Sequence, residues 1–162
     1  MGSIWYDMYI LPAEWRNTMN IAMFLKPKVE VEYLYDDFTV RQALEKMCHH
    51  GYTAIPVITR EGKYYSTIKE GDLLWYIVGG ENTETAAEKI DIRSLEDVYI
   101  RDIVEEGRNA PVRITEPVEH LFERALNQNY VPVIDDVDSF IGIITRRDIL
   151  TLLFKKYKDN TK

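Results

Sequence analysis

Near the C-terminus the run Ile143-Ile144-Thr145-Arg146-Arg147-Asp148-Ile149-Leu150 sets a hydroxyl, two cations and a carboxylate between apolar segments. Two chemistries suit that spacing. As a helix start, Thr145 caps the first turn and Asp148, three residues on, reaches back towards it in a capping box. As a binding site, an apolar strand points the Thr145 hydroxyl into a cleft. Asp148 then accepts hydrogen bonds from the vicinal hydroxyls of a ribose, while helix-start amides and Arg146 or Arg147 face a phosphate. The two uses are compatible, and the spacing alone does not choose between them.

Either use needs elements to hold these residues in place. A second copy of their surroundings lies 76 positions earlier: Ala54-Ile55-Pro56-Val57-Ile58 matches Tyr130-Val131-Pro132-Val133-Ile134. Asp72 follows Pro56 by 16 positions, as Asp148 follows Pro132, and Ser66 aligns with Gly142. We read this as an internal duplication. Each copy begins with an amphipathic helix. In the first, Asp36 or Asp37 is the expected cap, Val40, Ala43, Leu44 and Met47 form the apolar face, and Gly51 ends the helix. In the second, Pro117 stands near the start, and Val118, Leu121, Phe122 and Ala125 form the face. A strand follows at 54–58 or 130–134, then a turn, then a strand at 64–68 or 140–144. A closing helix runs from about Asp72 to Val78, or from Arg146 to about Lys158 with Ile149, Leu152 and Leu153 as its buried stripe. Extended lead-ins are expected at 22–28 and 98–104.

The expected organisation is an N-terminal extension at 1–19, a first repeat at 20–80, an acidic connector at 81–97, a second repeat at 98–158 and a tail at 159–162. Trp5, Tyr6, Tyr9 and Trp15 in the extension need something to pack on. Hydrophobic residues make up 46% of the 162, enough for a sizeable core. The net charge of −7 argues against a protein that coats nucleic acid, which needs a basic face, but not against one that holds a small phosphate ligand with local cations. One cysteine, Cys48, permits no internal disulfide and fits a reducing, cytoplasmic setting. No apolar run is long enough to span a bilayer, and the first residues lack the basic start of a signal peptide.

Catalysis has no evident assembly: there is no phosphate-binding glycine loop and no nucleophile elbow. Cys48-His49-His50 offers metal-ligand types. Consecutive helical residues point about 100° apart and do not converge on one ion. We expect no metal site and no catalytic cofactor.

The duplicated helix–strand–strand–helix unit, with its hydrophobic-Pro-Val and Thr-x-x-Asp signatures, resembles the CBS domain, named after cystathionine β-synthase. Two in tandem look like a CBS pair, or Bateman module, and the likeness covers about residues 20–155. Gly142 to Leu150 is its most specific part. The resemblance implies an α/β fold of the α+β type, with two units packed about a pseudo-twofold axis. It also implies adenosine-containing ligands in the clefts between units, homodimerisation and regulation, not catalysis. AMP, ADP or ATP head the ligand list, with cyclic di-AMP or S-adenosylmethionine as the alternative class. With no effector domain expected, the output would be an unidentified protein partner or an oligomer change. A second function class stays open: a ligand-free module for dimerisation and interaction.

Given the resemblance, Thr145 and Asp148 are the leading ligand contacts, with Arg146 and Arg147. The first copy departs from the pattern. It reads Lys69-Glu70-Gly71-Asp72, so Lys69 replaces the hydroxyl, the capping box is expected to be lost, and the Asp72 site is in question. The purine would lie near Thr53, Ala54 and Ile55, or near Tyr130, Val131 and Pro132. There the strand side chains are read as core and the flanking backbone as the reader. Lys28 and Arg113, in extended lead-ins, are candidate phosphate cations, although a single surface cation is usually only solvated.

Overall fold

A computed structural model describes residues 18–79 and 92–159. The expectations for the extension, most of the acidic connector and the end of the tail lie outside the described residues. In chain order the elements are β1 (Lys26–Pro27), β2 (Leu34–Tyr35), α1 (Val40–His50), β3 (Ala54–Ile58), β4 (Tyr64–Lys69), α2 (Glu70–Val78), α3 (Ile100–Ile103), β5 (Val112–Arg113), α4 (Val118–Asn127), β6 (Tyr130–Ile134), β7 (Phe140–Thr145) and α5 (Arg146–Asp159). They form two sheets, ordered β2-β3-β4 and β1-β7-β6-β5. Within each repeat a short parallel strand pairs with the first strand of an antiparallel hairpin: Leu34 faces Val57, and Val112 faces Val133.

The apolar faces expected for α1 and α4 are the ones buried: Val40, Ala43 and Met47 in α1, Val118, Leu121 and Ala125 in α4. Gly51 ends α1 in the left-handed region, at φ 65°, where only glycine sits without strain. The expected cap is corrected. Thr39, not Asp36 or Asp37, starts α1: its hydroxyl accepts from the Gln42 amide at 3.2 Å, and Gln42 Oε1 accepts from the Thr39 amide at 2.9 Å. Asp37 instead accepts from Arg60 at 2.8 Å.

The lead-ins are also corrected. They are not simple extended segments, and each completes the other repeat. Met19, Ile21 and Phe24, around a turn of 3₁₀ helix, are buried with Val112, Leu121, Val131, Ile144 and Ile149. Next, β1 adds to the second repeat's sheet, with Lys26 facing Ile143 and Pro27 facing Gly142. Gly142 permits this approach, since a Cβ there would lie 2.1 Å from the Lys26 carbonyl oxygen. In return, Leu95, Ile100 and Val104 pack with Leu34, Val40, Met47, Ile55, Ile68 and Leu73. Residues 100–103 are helical because Asp102 accepts from the Tyr99 amide at 3.1 Å and starts a turn that buries Ile100. The halves also meet at a third cluster of Val31, Ile58 and Phe140. A Phe140 amide bond to the Gly62 carbonyl links the two hairpin turns.

Candidate functional site

The second repeat's helix start has the capping geometry expected of it. Thr145 Oγ1 accepts from the Asp148 amide at 3.1 Å and donates to Asp148 Oδ2 at 2.5 Å. The hydroxyl thus caps α5 and orients the carboxylate. Asp148 Oδ1 takes no hydrogen bond from any described residue. Asp148 lines a cleft of about 530 Å³ with Phe24, Lys26, Glu30, Leu152 and Lys155. Neither Lys26 nor Lys155 forms an ion pair among the described residues. The cleft therefore offers an oriented carboxylate, two free ammonium groups and an apolar wall, in the size range of small-molecule sites.

The first repeat's start differs. Half of the capping box survives Lys69, which corrects the expected loss: Asp72 Oδ2 accepts from the Lys69 amide at 2.7 Å, although the lysine side chain has no oxygen to accept in return. Asp72 then meets Arg108, a residue that the sequence reading did not single out. Arg108 Nη1 donates to Asp72 Oδ1 at 2.8 Å and Nη2 donates to Oδ2, in the fork geometry of a bidentate pair. Nη2 also donates to the Thr67 carbonyl at 3.0 Å. The bond to Asp72 holds the Arg108 charge more firmly still, raising its pKa.

A second cleft of about 320 Å³ lies between the repeats. It brings together Thr53, Ala54, Lys69 and Tyr130, with Gly71 and three asparagines, Asn109, Asn127 and Asn129, absent from the sequence reading. The asparagine side chains make no hydrogen bond to any described residue. Asn127 and Asn129 had one sequence signal, position, at a helix end and next to a strand start. The backbone carbonyls of Thr53 and Asn129 are taken by the amides of Glu70 and Arg146, which begin α2 and α5. The Tyr130 hydroxyl pairs with Thr67 Oγ1 at 2.9 Å across the buried sheet interface. Burial raises the phenol pKa of Tyr130, and likewise that of Tyr64.

The remaining candidates are dispersed. Ile55, Val131 and Pro132 are buried strand residues. The Arg146 guanidinium donates to the carbonyls of Ala125 at 2.9 Å and Gln128 at 3.0 Å, closing the end of α4. Arg147 is exposed at the α5 start. Lys28 sits 5.1 Å from the centre of the Tyr33 ring. Arg113 donates to the Asp135 carbonyl at 2.8 Å and pairs with Asp138. His50 stacks on Tyr52, and among the described residues no group of three or more His, Cys, Asp or Glu could hold a metal.

Comparison with known proteins gives this arrangement a lineage. The family model described as CBS domain matches twice, at residues 26–79 and 95–155. Cyclic di-AMP receptor B of Bacillus subtilis is 28% identical over 142 residues, covering 88% of this chain and 91% of that protein. Among solved structures, CbpB in complex with c-di-AMP superposes with a TM-score of 0.74 at 23% identity, covering 88% of this chain and 89% of that one. CBSX2 in complex with AMP gives 0.66 at 20% identity, covering 85% and 98%. The crossed lead-ins, paired sheets and duplicated helix starts are thus a tandem arrangement of two such domains, and the chain belongs to the CBS-domain family.

Proposed function

We propose that this chain is a regulatory module that binds an adenosine nucleotide beside Asp148 and passes occupancy on to a protein partner or an oligomer change. The observation that carries the reading is the Asp148 cleft. Its carboxylate is oriented by Thr145, keeps one oxygen free for a ribose hydroxyl, and is accompanied by two unpaired lysines suited to phosphate. Arg147 is exposed on the first turn of the same helix as Asp148, while Arg146 serves the fold. The central cleft, with Thr53, Ala54, Lys69 and Tyr130, is a separate space lined by both repeats.

Among adenosine ligands, AMP, ADP and ATP fit a single cleft. Cyclic di-AMP is favoured by a specific observation: the Bacillus subtilis relative matched along about nine-tenths of both chains carries that ligand's name. The nucleotide acts as a regulatory ligand and not as a catalytic cofactor. It would bias two packings of the repeats by its differential affinity for them.

A homodimer is supported by exposed apolar residues on the two closing helices, Leu74, Trp75 and Val78 on α2 and Leu150, Phe154 and Tyr157 on α5. The acidic balance argues against nucleic acid as a partner. No described helix is long and apolar enough to cross a membrane, and the reading places the module in the cytoplasm.

A thermal-shift panel of AMP, ADP, ATP, cyclic di-AMP, S-adenosylmethionine and GMP tests the proposal. At a hundred times the dissociation constant, one ligand adds about 2.7 kcal/mol of stability. The melting midpoint should rise by several degrees for an adenosine ligand and not for GMP. A flat panel on protein stripped of co-purified nucleotide would favour the ligand-free interaction module.

A further inference from the structure

We propose that Arg108 occupies the first repeat's nucleotide position, so that each chain takes up one adenosine ligand, at Asp148, and keeps the other cleft shut with its own side chain. The inference rests on the nucleotide-binding reading above and adds which cleft is used and what closes the other.

The hydrogen-bond capacity of Asp72 is the first argument. Its Oδ2 accepts from Arg108 Nη2 and from the Lys69 amide, and its Oδ1 accepts from Arg108 Nη1. A carboxylate has about four lone-pair sites. Three are spent, which leaves too few to take both hydroxyls of a ribose. The pair is also sheltered, with the Asp72 side chain 16% exposed.

The second argument is a charge reversal at matched positions. Leu34 and Val112 hold equivalent places in the two sheets, since they face Val57 and Val133. Four residues before each stand Glu30 and Arg108. Glu30 lines the Asp148 cleft and, being a carboxylate itself, offers Asp148 no donor. Arg108 neutralises its partner. Along the closing helices the same comparison sets Thr151 against Trp75 and Lys155 against Gly79. The first repeat thus lacks the lysine that would meet a phosphate at Lys155's position, and carries a bulky ring where the second has a small hydroxyl.

The third argument is that Arg108 is built in and not a swinging side chain. Its loop is pinned to β4 on both sides: Gly107 donates to the Tyr65 carbonyl at 2.8 Å, Ser66 Oγ donates to the Glu105 carbonyl at 2.7 Å, and the Tyr64 hydroxyl donates to the Asn109 carbonyl at 3.0 Å. Gly107 and Asn109 both have positive φ, 76° and 60°, residue types suited to the turn that aims Arg108 at Asp72.

Equilibrium dialysis with AMP, and separately with cyclic di-AMP, tests this by counting bound nucleotide per chain. For whichever binds, wild type should take up one, Asp148→Ala should lose it, and the double variant Arg108→Ala, Asp148→Ala should regain uptake through Asp72, more weakly than wild type because no lysine stands at Lys155's place. Arg108→Gln, which keeps a hydrogen-bond donor without the charge, replaces Arg108→Ala if circular dichroism shows that variant unfolded. Two nucleotides of one type in separate clefts of wild type would overturn the inference while leaving the nucleotide reading intact. So would a folded double variant without restored uptake. No uptake by wild type or by any Arg108 variant would overturn both.

Discussion

The two closing helices begin with an aspartate at the same place in the repeat, yet their carboxylates have opposite fates. Asp148 is held by a hydroxyl of its own turn, which orients it and leaves an oxygen free towards a cleft with two lysines. Asp72 is held by a guanidinium from the other repeat's loop before β5 and by the Lys69 amide, which together occupy both its oxygens. One fold therefore supports a carboxylate with a free oxygen and a structural ion pair at equivalent points. What separates them is not the aspartate but the residue three positions earlier, Thr145 or Lys69, and the residue delivered across the molecule, Glu30 or Arg108.

Delivery across the molecule can be tested first, and there the effect should be largest. Ile100 belongs by sequence to the second repeat but is fully buried in the first repeat's core. Ile100→Ala should cost about 2–5 kcal/mol in denaturant unfolding. It should also speed amide exchange in α1 and β3 before α4 and β6. Earlier exchange in α4 and β6 would mean that the lead-ins do not cross.

A smaller effect is expected where the lead-ins touch the hairpins. Gly142→Ala sets a Cβ against the Lys26 carbonyl, so overpacking should cost about 1–3 kcal/mol and loosen β1. Ser66→Ala, at the matched position, removes the hydroxyl that donates to the Glu105 carbonyl at 2.7 Å and to the Arg108 carbonyl at 3.5 Å, and should cost about 1 kcal/mol. Thermal unfolding of the two variants side by side checks the order.

The smallest contrast lies in the caps. Thr145→Ala removes a hydroxyl that accepts from the Asp148 amide and should cost about 0.5–2 kcal/mol. Lys69→Ala removes an exposed side chain that caps nothing and should leave the melting midpoint nearly unchanged.

Much of the fold was legible because it is local. The strand starts, hairpins, α1 and α4 faces and the Gly51 stop follow from periodicity and turn chemistry, which neighbouring residues decide. The cap of α1 was misread because Asp36 and Asp37 are good cap types, yet the chain is still turning there and Thr39 is the residue whose hydroxyl reaches the Gln42 amide. The crossing of the lead-ins was not legible, since an apolar lead-in says that it must be buried and not where. The site divides along the same line. The Thr145–Asp148 contact spans three residues and could be read from spacing. The Arg108–Asp72 contact spans 36 residues, and nothing in the local pattern joins them. Lys28, Arg113 and Arg146 were named as cations near a phosphate, and in the structure each lies against a ring, carbonyl or carboxylate that spacing could not foretell.

The most direct test of the contrast between the two aspartates is calorimetric titration of AMP and of cyclic di-AMP into wild type, Asp148→Ala and Asp72→Ala. Hydrogen bonds to a charged group contribute about 1.5–3 kcal/mol each. Asp148→Ala should therefore weaken binding of the ligand that wild type accepts by at least about tenfold, and Asp72→Ala should leave the affinity within about twofold of wild type. Equal losses in both variants, or a loss confined to Asp72→Ala, would contradict the assignment of the second repeat as the binding half.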